Sequence, residues 1–574
     1  PFSDSDFWYR IEVNEDGLFG LFYEELSQLP DFVDPDSVRI FRGIRKTIPG
    51  EKDRTEFIVQ EVPLFINDGN DGKFDEEDYV YFYNEKSEDD VINRYSGKTV
   101  FWLTFGGEYN NKPARNMDFQ NYDNVLRVSD FNRYHHQETD DRNRQVNYLM
   151  IYPNAFLSQT EDLDQIHLDN YGLISENVDQ QTIFNLYGES PEGLRDFIEI
   201  YFNDHPELET VILMGSGTTN WDIDIEKNKI IAYQNSSGDA YDDYFVNFGG
   251  TYPDLPIGRI PAQNTSQMDL MIERIRDYIE TPKLGWWRNK VLIVADDENK
   301  SGHLEGTGGS TGLNHTYQAQ YTGEILSNGV YVDKLMAIEY GMDEFLQKPE
   351  VREDMIERIN EGRLIWYYIG HGAEDILGDE GYFRGSLHLR FLENEEHLPL
   401  FIAASCNVGQ FDDPAFDCLA EKLLFHDYGG SISSIAATRG CGGSANTTLI
   451  RDFLNNSLNE RQNLGDALWD AKLHSGAGYS NSRLYHVLGD PLLPILTPDI
   501  SGLITIDEPV ADSLQARQTV HISGNYELEN EISGIGEIRI FNTEETLNYH
   551  RELNDQVYDV NYTKNGSCFF KGFV

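Results

Sequence analysis

Apolar positions along the chain change their spacing twice. Up to about residue 145 they come in short, loosely alternating runs: Phe7–Val13, then the turn Asn14-Glu15-Asp16-Gly17, then Phe57–Phe65 and Tyr79–Phe82. Alternating runs closed by turn residues predict strands. From about residue 146 the strand-length runs Asn147–Tyr152, Val211–Met214 and Lys290–Ala295 are separated by helical spacing, as in Met268–Ile279. Ser190 suits a helix N-cap, with Pro191 in the first helical position of a segment carrying Phe197, Ile198 and Tyr201. Strands alternating with helices predict parallel βαβ units.

The second half of this α/β region is the clearest. Val351, Met355 and Ile359 share one helix face, and Gly362 suits the helix end. The runs Leu364–Ile369, Pro399–Ala404 and Ile432–Ala437 predict buried strands. A helix is predicted over 415–425, stopped by Gly429-Gly430, and the unit closes at Leu488-Gly489-Asp490-Pro491. After about residue 499 the short runs Val520–Ser523 and Glu537–Phe541 predict strands again. The expected layout is a β-rich domain at 1–145, α/β subdomains at 146–288 and 289–498, and a β-sandwich-like, immunoglobulin-like segment at 499–574. That last segment is shorter than the roughly 100 residues of such a sandwich, so the native chain is expected to run on.

Composition narrows the function. Against 45 Lys and Arg stand 99 Asp and Glu, a formal charge of −54 on 574 residues. Such a field excludes a generic nucleic-acid binder and basic docking on an anionic membrane. No apolar run approaches the roughly 20 residues of a membrane helix. The cysteines are Cys406, Cys418, Cys441 and Cys568, which is neither a disulfide framework nor a zinc pattern. Three of them fall between 406 and 441, and that window calls for a chemical reason.

Two strand ends supply one. His371 follows Tyr367-Tyr368-Ile369-Gly370, and Cys406 follows Ala403-Ala404-Ser405. Sites in open α/β sheets form at the carboxyl ends of strands, so the two side chains can share a cleft. An imidazole favours the thiolate and later protonates the leaving amine. The backbone N–H groups of Cys406 and Gly372 are the candidate oxyanion donors.

Other features read as structural. Cys418 packs on its helix, and Cys441 walls the cleft in a loop. The glycine-rich segment 306–312 lacks a P-loop Lys. Trp286-Trp287 reads as packing, and Asp296-Asp297-Glu298-Asn299 as solvated acid before calcium. The segment Asn67 to Asp78 is similar to an EF-hand-type loop, with Asn67, Asp71, Asp75 and Asp78 as candidate calcium ligands. Its third position is Gly69 and its twelfth is Asp, so a solvated acidic turn is the first expectation and structural Ca2+ the second.

The His371 and Cys406 motifs, with Gln410-Phe411-Asp412, Gly429-Gly430-Ser431-Ile432 and Leu488-Gly489-Asp490-Pro491, resemble the catalytic region of the gingipain family of cysteine peptidases. The resemblance implies a caspase-like α/β fold, Cys406 as nucleophile and His371 as general base and acid. It implies no cofactor for catalysis. It also implies a third acid before an Ile-Gly-Arg segment; here that is Asp254, in Tyr252-Pro253-Asp254-Leu255-Pro256-Ile257-Gly258-Arg259, with Asp242 and Asp243 as alternatives. The segments Phe7-Trp8-Tyr9-Arg10-Ile11 with Asn14-Glu15-Asp16-Gly17, the acidic 67–82 segment, Gly193-Leu194-Arg195-Asp196-Phe197, and Trp287-Arg288-Asn289-Lys290 before Ala295-Asp296-Asp297 resemble the sortase-like branch that serves the type IX secretion system. Expected partners are exported proteins with C-terminal sorting domains, a lipopolysaccharide acceptor, an outer-membrane barrel shuttle protein and attachment-complex components. The expected place is the cell surface, attached to the outer membrane. A secreted endopeptidase and a catalytically silent scaffold are the alternatives.

Overall fold

The computed structural model describes residues 5, 7–30, 32–47, 55–69, 71–85, 99–106, 125–134, 145–219, 229–297, 299–300, 303–304, 314–326, 330–497, 501–508, 521–527, 537–553 and 556–573. The glycine-rich segment 306–312 and Glu298 lie outside the described residues. The chain divides into two compact units, Pro1–Arg276 with Gln410–Asp417, and Asp277–Gly409 with Cys418–Val574.

The first unit opens with two sheets over one core. Trp8–Val13 pairs antiparallel with Thr99–Thr104 and with Asp130–Tyr134 in a five-stranded sheet. Gly17–Leu21 and Tyr79–Asn84 belong to a four-stranded sheet. Ile11, Val13, Phe19, Phe82 and Phe101 meet between them with no exposure, the burial that drives the two faces together. The expected single strand Phe57–Phe65 is two, Thr55–Val62 and Leu64–Asn67, because Pro63 has no N–H for a ladder. The α/β part of this unit holds β1 (Tyr148–Tyr152), β2 (Ser175–Asp179), β3 (Thr210–Met214) and β4 (Ile257–Ile260) in the parallel order 2-1-3-4. The helix Pro191–Asp204 starts as expected, with the Ser190 hydroxyl accepting the Gly193 N–H at 3.0 Å.

The second unit is built on β5 (Lys290–Ala295), β6 (Tyr331–Met336), β7 (Ile365–Ile369), β8 (Leu400–Ala404), β9 (Ser433–Ala437) and β10 (Tyr485–Leu488), in the order 10-9-8-7-5-6. Every pairing in it is parallel except β9 with β10. β5, β7, β8 and β9 are buried along their whole length, which explains their near-continuous apolar runs. The helix expected at 415–425 runs only over Leu419–Leu424. The Asp413 carboxylate captures the Ala415 N–H at 2.8 Å in a local turn, and the helix starts only after its buried N-cap Cys418.

After residue 500 the described residues form three antiparallel pairs: Ser501–Glu508 with His521–Glu527, Glu537–Phe541 with Cys568–Phe573, and Glu545–Leu553 with Gln556–Lys564. The third pair docks on the α/β sheet. Lys334 Nζ donates to Thr563 O at 2.9 Å, and the Tyr562 hydroxyl donates to Glu339 at 2.8 Å. Trp286 stacks on Phe541, and Trp287 is buried, so both indoles pack as expected.

Candidate active site

β7 and β8 are neighbours in register, Ile369 opposite Ala404. His371 and Cys406 each stand two residues beyond those partners. They therefore leave the sheet side by side, from strands about 4.8 Å apart. On the far side of β7, Ala295 of β5 is opposite Ile369, which brings Asp296 next. On the far side of β8, β9 runs into the turn that carries Cys441. Four consecutive strand ends thus supply Asp296, His371, Cys406 and Cys441.

The Cys406 thiol is half-buried. The Cys441 N–H donates to its Sγ at 3.4 Å, and Sγ lies 3.7 Å from the Cys441 carbonyl as a thiol donor. Cys441 itself is held toward its neutral form, first by its hydrogen bond with Cys406 and then by burial. Its sulfur accepts from Asn446 Nδ2 at 3.1 Å and meets the Tyr485 hydroxyl at 3.5 Å. Cys441 thus touches Cys406 directly. Asn407 has φ 58°, a left-handed backbone that Asn tolerates better than most residues, and its Nδ2 donates to Glu374 at 3.0 Å.

His371 is held through its backbone. Its N–H donates to Asp296 Oδ2 at 2.8 Å, and its carbonyl accepts from the Tyr368 hydroxyl at 2.6 Å and the Gly378 N–H at 2.9 Å. The flanking glycines are required by close approach. A Cβ on Gly370 would sit 2.2 Å from Asp296 Cβ, and one on Gly372 would sit 2.3 Å from Ser405 Oγ. The ring of His315 stands edge-on to His371, centroids 5.3 Å apart. Neither Asp296 nor His315 was singled out for this role by the sequence. Asp296 follows directly on the predicted strand Lys290–Ala295, which was a usable signal. His315 lies on the helix Asn314–Gly323, which carries no clear periodic pattern.

The remaining candidates have local partners. Asp254, in the first unit, is exposed; its carboxylate accepts the Phe248 N–H at 2.7 Å and its own N–H donates to Val246 O at 2.7 Å. Asp242 grips the buried Arg259 with both oxygens, each at 2.8 Å. In the acidic loop, Asn67 ends its strand, Asp71 accepts the Lys73 N–H at 3.0 Å, and the buried Asp78 accepts the Asp75 N–H at 2.5 Å. Among the described residues, no three carboxylates of this loop bring oxygens within 4.8 Å of one another. The run at Asp296-Asp297 departs from expectation: both side chains are buried at 1% exposure, Asp296 against the Tyr368 and Tyr382 hydroxyls and Asp297 against Lys348.

The family model for peptidase family C25 matches residues 141–496. No curated protein matches the chain. Among solved structures, the Arg-specific cysteine proteinase gingipain R (RgpB) is 17% identical, with 74% of this chain and 98% of that chain covered and a TM-score of 0.50. A complex of the pro- and mature domains of RgpB from Porphyromonas gingivalis matches at 17% identity over 73% of this chain and 99% of that one, TM-score 0.48. Dimeric latent PorU from Porphyromonas gingivalis matches at 12% identity over 98% of this chain and 49% of that one, TM-score 0.35. The α/β region has the gingipain-like, caspase-like fold, with β-rich segments on either side. With more than half of its length matched by the family model, the chain belongs to peptidase family C25.

Proposed function

We propose that this chain is a cysteine peptidase acting as a sortase, with Cys406 as nucleophile and His371 as general base and acid. The observation that carries the reading is the equal offset of the two residues beyond the register pair Ile369–Ala404, with the Cys441 N–H aimed at Sγ. His371 takes the Cys406 proton, and the thiolate attacks the scissile carbonyl. The oxyanion forms beside the N–H groups of Gly372 and Cys406. The C–N bond breaks, His371 returns the proton to the leaving amine, and an acyl thioester remains. An incoming amine, or water, then attacks the thioester with His371 as base and releases Cys406. Asp254 is proposed as the third acid on its sequence context alone.

The sortase reading rests on the N-terminal and Trp287–Lys290 sequence segments. The acyl donor would be an exported protein at its C-terminal sorting-domain junction, and the acceptor an amine of surface lipopolysaccharide. The barrel shuttle protein and attachment-complex components would dock on the β-rich segments at the outer membrane. Among the described residues no helix is long and apolar enough to cross a membrane. The test supplies an acyl-donor peptide spanning such a junction together with an amine acceptor, and resolves products by mass. An acceptor-linked product is expected. Hydrolysis without any such product would leave a plain endopeptidase.

A further inference from the structure

Behind the His371 loop lies a closed acidic cluster with a place in the fold of its own. Asp296 and Asp297 leave the end of β5, and Glu380 comes from the turn between the short strands Ile376–Leu377 and Phe383–Arg384. Each is 1% exposed. One oxygen from each lies within 4.8 Å of the other two.

The donors around them are unequally shared. Asp296 Oδ1 accepts the Tyr382 hydroxyl at 2.6 Å, and Oδ2 accepts the His371 N–H at 2.8 Å and the Tyr368 hydroxyl at 3.3 Å. Asp297 pairs with Lys348, whose ammonium also donates to Ala337 O at 2.6 Å. Neither oxygen of Glu380 meets a donor in hydrogen-bonding geometry, although the whole side chain is buried. Lys348 pairs with Asp297, so bringing all three carboxyls to their ionised form would need further positive charge. A buried carboxylate without a partner is expensive, and burial pushes Asp296 up to about 8 and Glu380 up to about 7.

We propose that Asp296, Asp297 and Glu380 bind a hard divalent cation, of the Ca2+ or Mg2+ class, that braces the loop carrying His371. The donor set is all oxygen, which suits a hard cation. A dication would supply the charge that lets Asp296 and Glu380 ionise together, and the unbonded Glu380 supplies the ligand that the polypeptide leaves unused. The link to the active site is Asp296, whose Oδ2 holds the His371 N–H. The cation therefore acts as a positioning element for His371, and its binding does not depend on whether the acceptor is an amine or water.

The experiment strips the full chain with a chelator and adds CaCl2 alone, or MgCl2 alone, while calorimetry and thermal unfolding are followed. Expected is binding of one equivalent at this site, with a rise in Tm. Glu380→Gln loses that equivalent, weakening binding about tenfold or more. Asp75→Asn, in the separate 67–78 loop, keeps it. Because Glu380→Gln removes a buried carboxyl that meets no hydrogen-bond donor, its metal-free form is at least as stable as the metal-free parent. The proposal is overturned if neither cation binds or raises Tm, if Glu380→Gln keeps the full response, or if metal-free Glu380→Gln is less stable than the parent.

Discussion

His371 and Cys406 each stand two residues past strand partners that face each other in register, Ile369 on β7 and Ala404 on β8. The paired strands of a buried parallel sheet bring the two residues to one sheet edge. In the proposed reading, a nucleophile and base placed this way need little reorganisation before reaction. The tuning comes from shorter contacts around them, and each of those contacts can be tested.

Asn407 holds a left-handed backbone directly after Cys406, with its side chain on Glu374. A β-branched residue there pays about 1–2 kcal/mol for the conformation, whereas glycine pays none. Asn407→Val should lower stability by about that amount and slow thiol labelling more than tenfold. Asn407→Gly should label within a few-fold of the parent. Denaturant midpoints and labelling rates of both variants check this.

Gly372 is compressed against Ser405, with 2.3 Å between a Cβ there and Oγ. Gly372→Ala should displace the His371 loop and cost at least tenfold in kcat/KM. Removing the clashing hydroxyl with Ser405→Gly in the same chain should recover most of that loss. A double-mutant cycle on peptide cleavage measures the coupling, and simple additivity would separate the two positions.

His315 packs edge-on against His371, and a ring nitrogen of each lies within 4.8 Å of an Asp296 oxygen. His315→Ala should lower the labelling rate about tenfold by freeing the imidazole orientation. His315→Phe, which keeps an aromatic edge there, should restore most of it, with KM for a peptide unchanged in both. A KM effect in place of a rate effect would make His315 a substrate contact.

His388 is buried, and its Nδ1 accepts the Arg384 N–H at 2.9 Å. Burial, aided by Arg352, Arg384 and Arg390, lowers its pKa from 6.5 to about 4. Between those values the unfolded chain binds the proton and the folded chain does not, so stability falls as pH drops from about 6.5 to about 4. Above that window the contribution is fully present. His388→Gln should flatten this part of the stability-against-pH curve, measured by urea midpoints.

Much of this arrangement was legible in the residues. Lys290–Ala295 reads as a strand and is one, because a buried parallel strand needs an unbroken apolar run. The His371 and Cys406 motifs announced their strand ends through the same runs and the small residues beside them. The helix Leu157–Tyr171 escaped notice because its polar residues blur the apolar stripe, and only Leu163 and Ile166 are buried hydrophobics on it. The reversed direction of β10 depends on the path of the chain across the sheet, which periodicity does not encode. Asp296 is covered by Tyr368 and Tyr382, more than 70 positions away in sequence, and Asp297 meets Lys348, also far along the chain, so a local reading took them for solvated acid.

The central claim is that Cys406 is the reacting thiol. It is tested most directly by exposing the full chain, and its Cys406→Ala variant, to a thiol-directed peptide electrophile, with intact-mass detection and Cys441→Ala as a second variant. The account predicts one adduct on the parent and on Cys441→Ala, none on Cys406→Ala, and peptide cleavage reduced at least about a thousandfold in Cys406→Ala. An adduct that persists in Cys406→Ala, or cleavage that survives there, would contradict it.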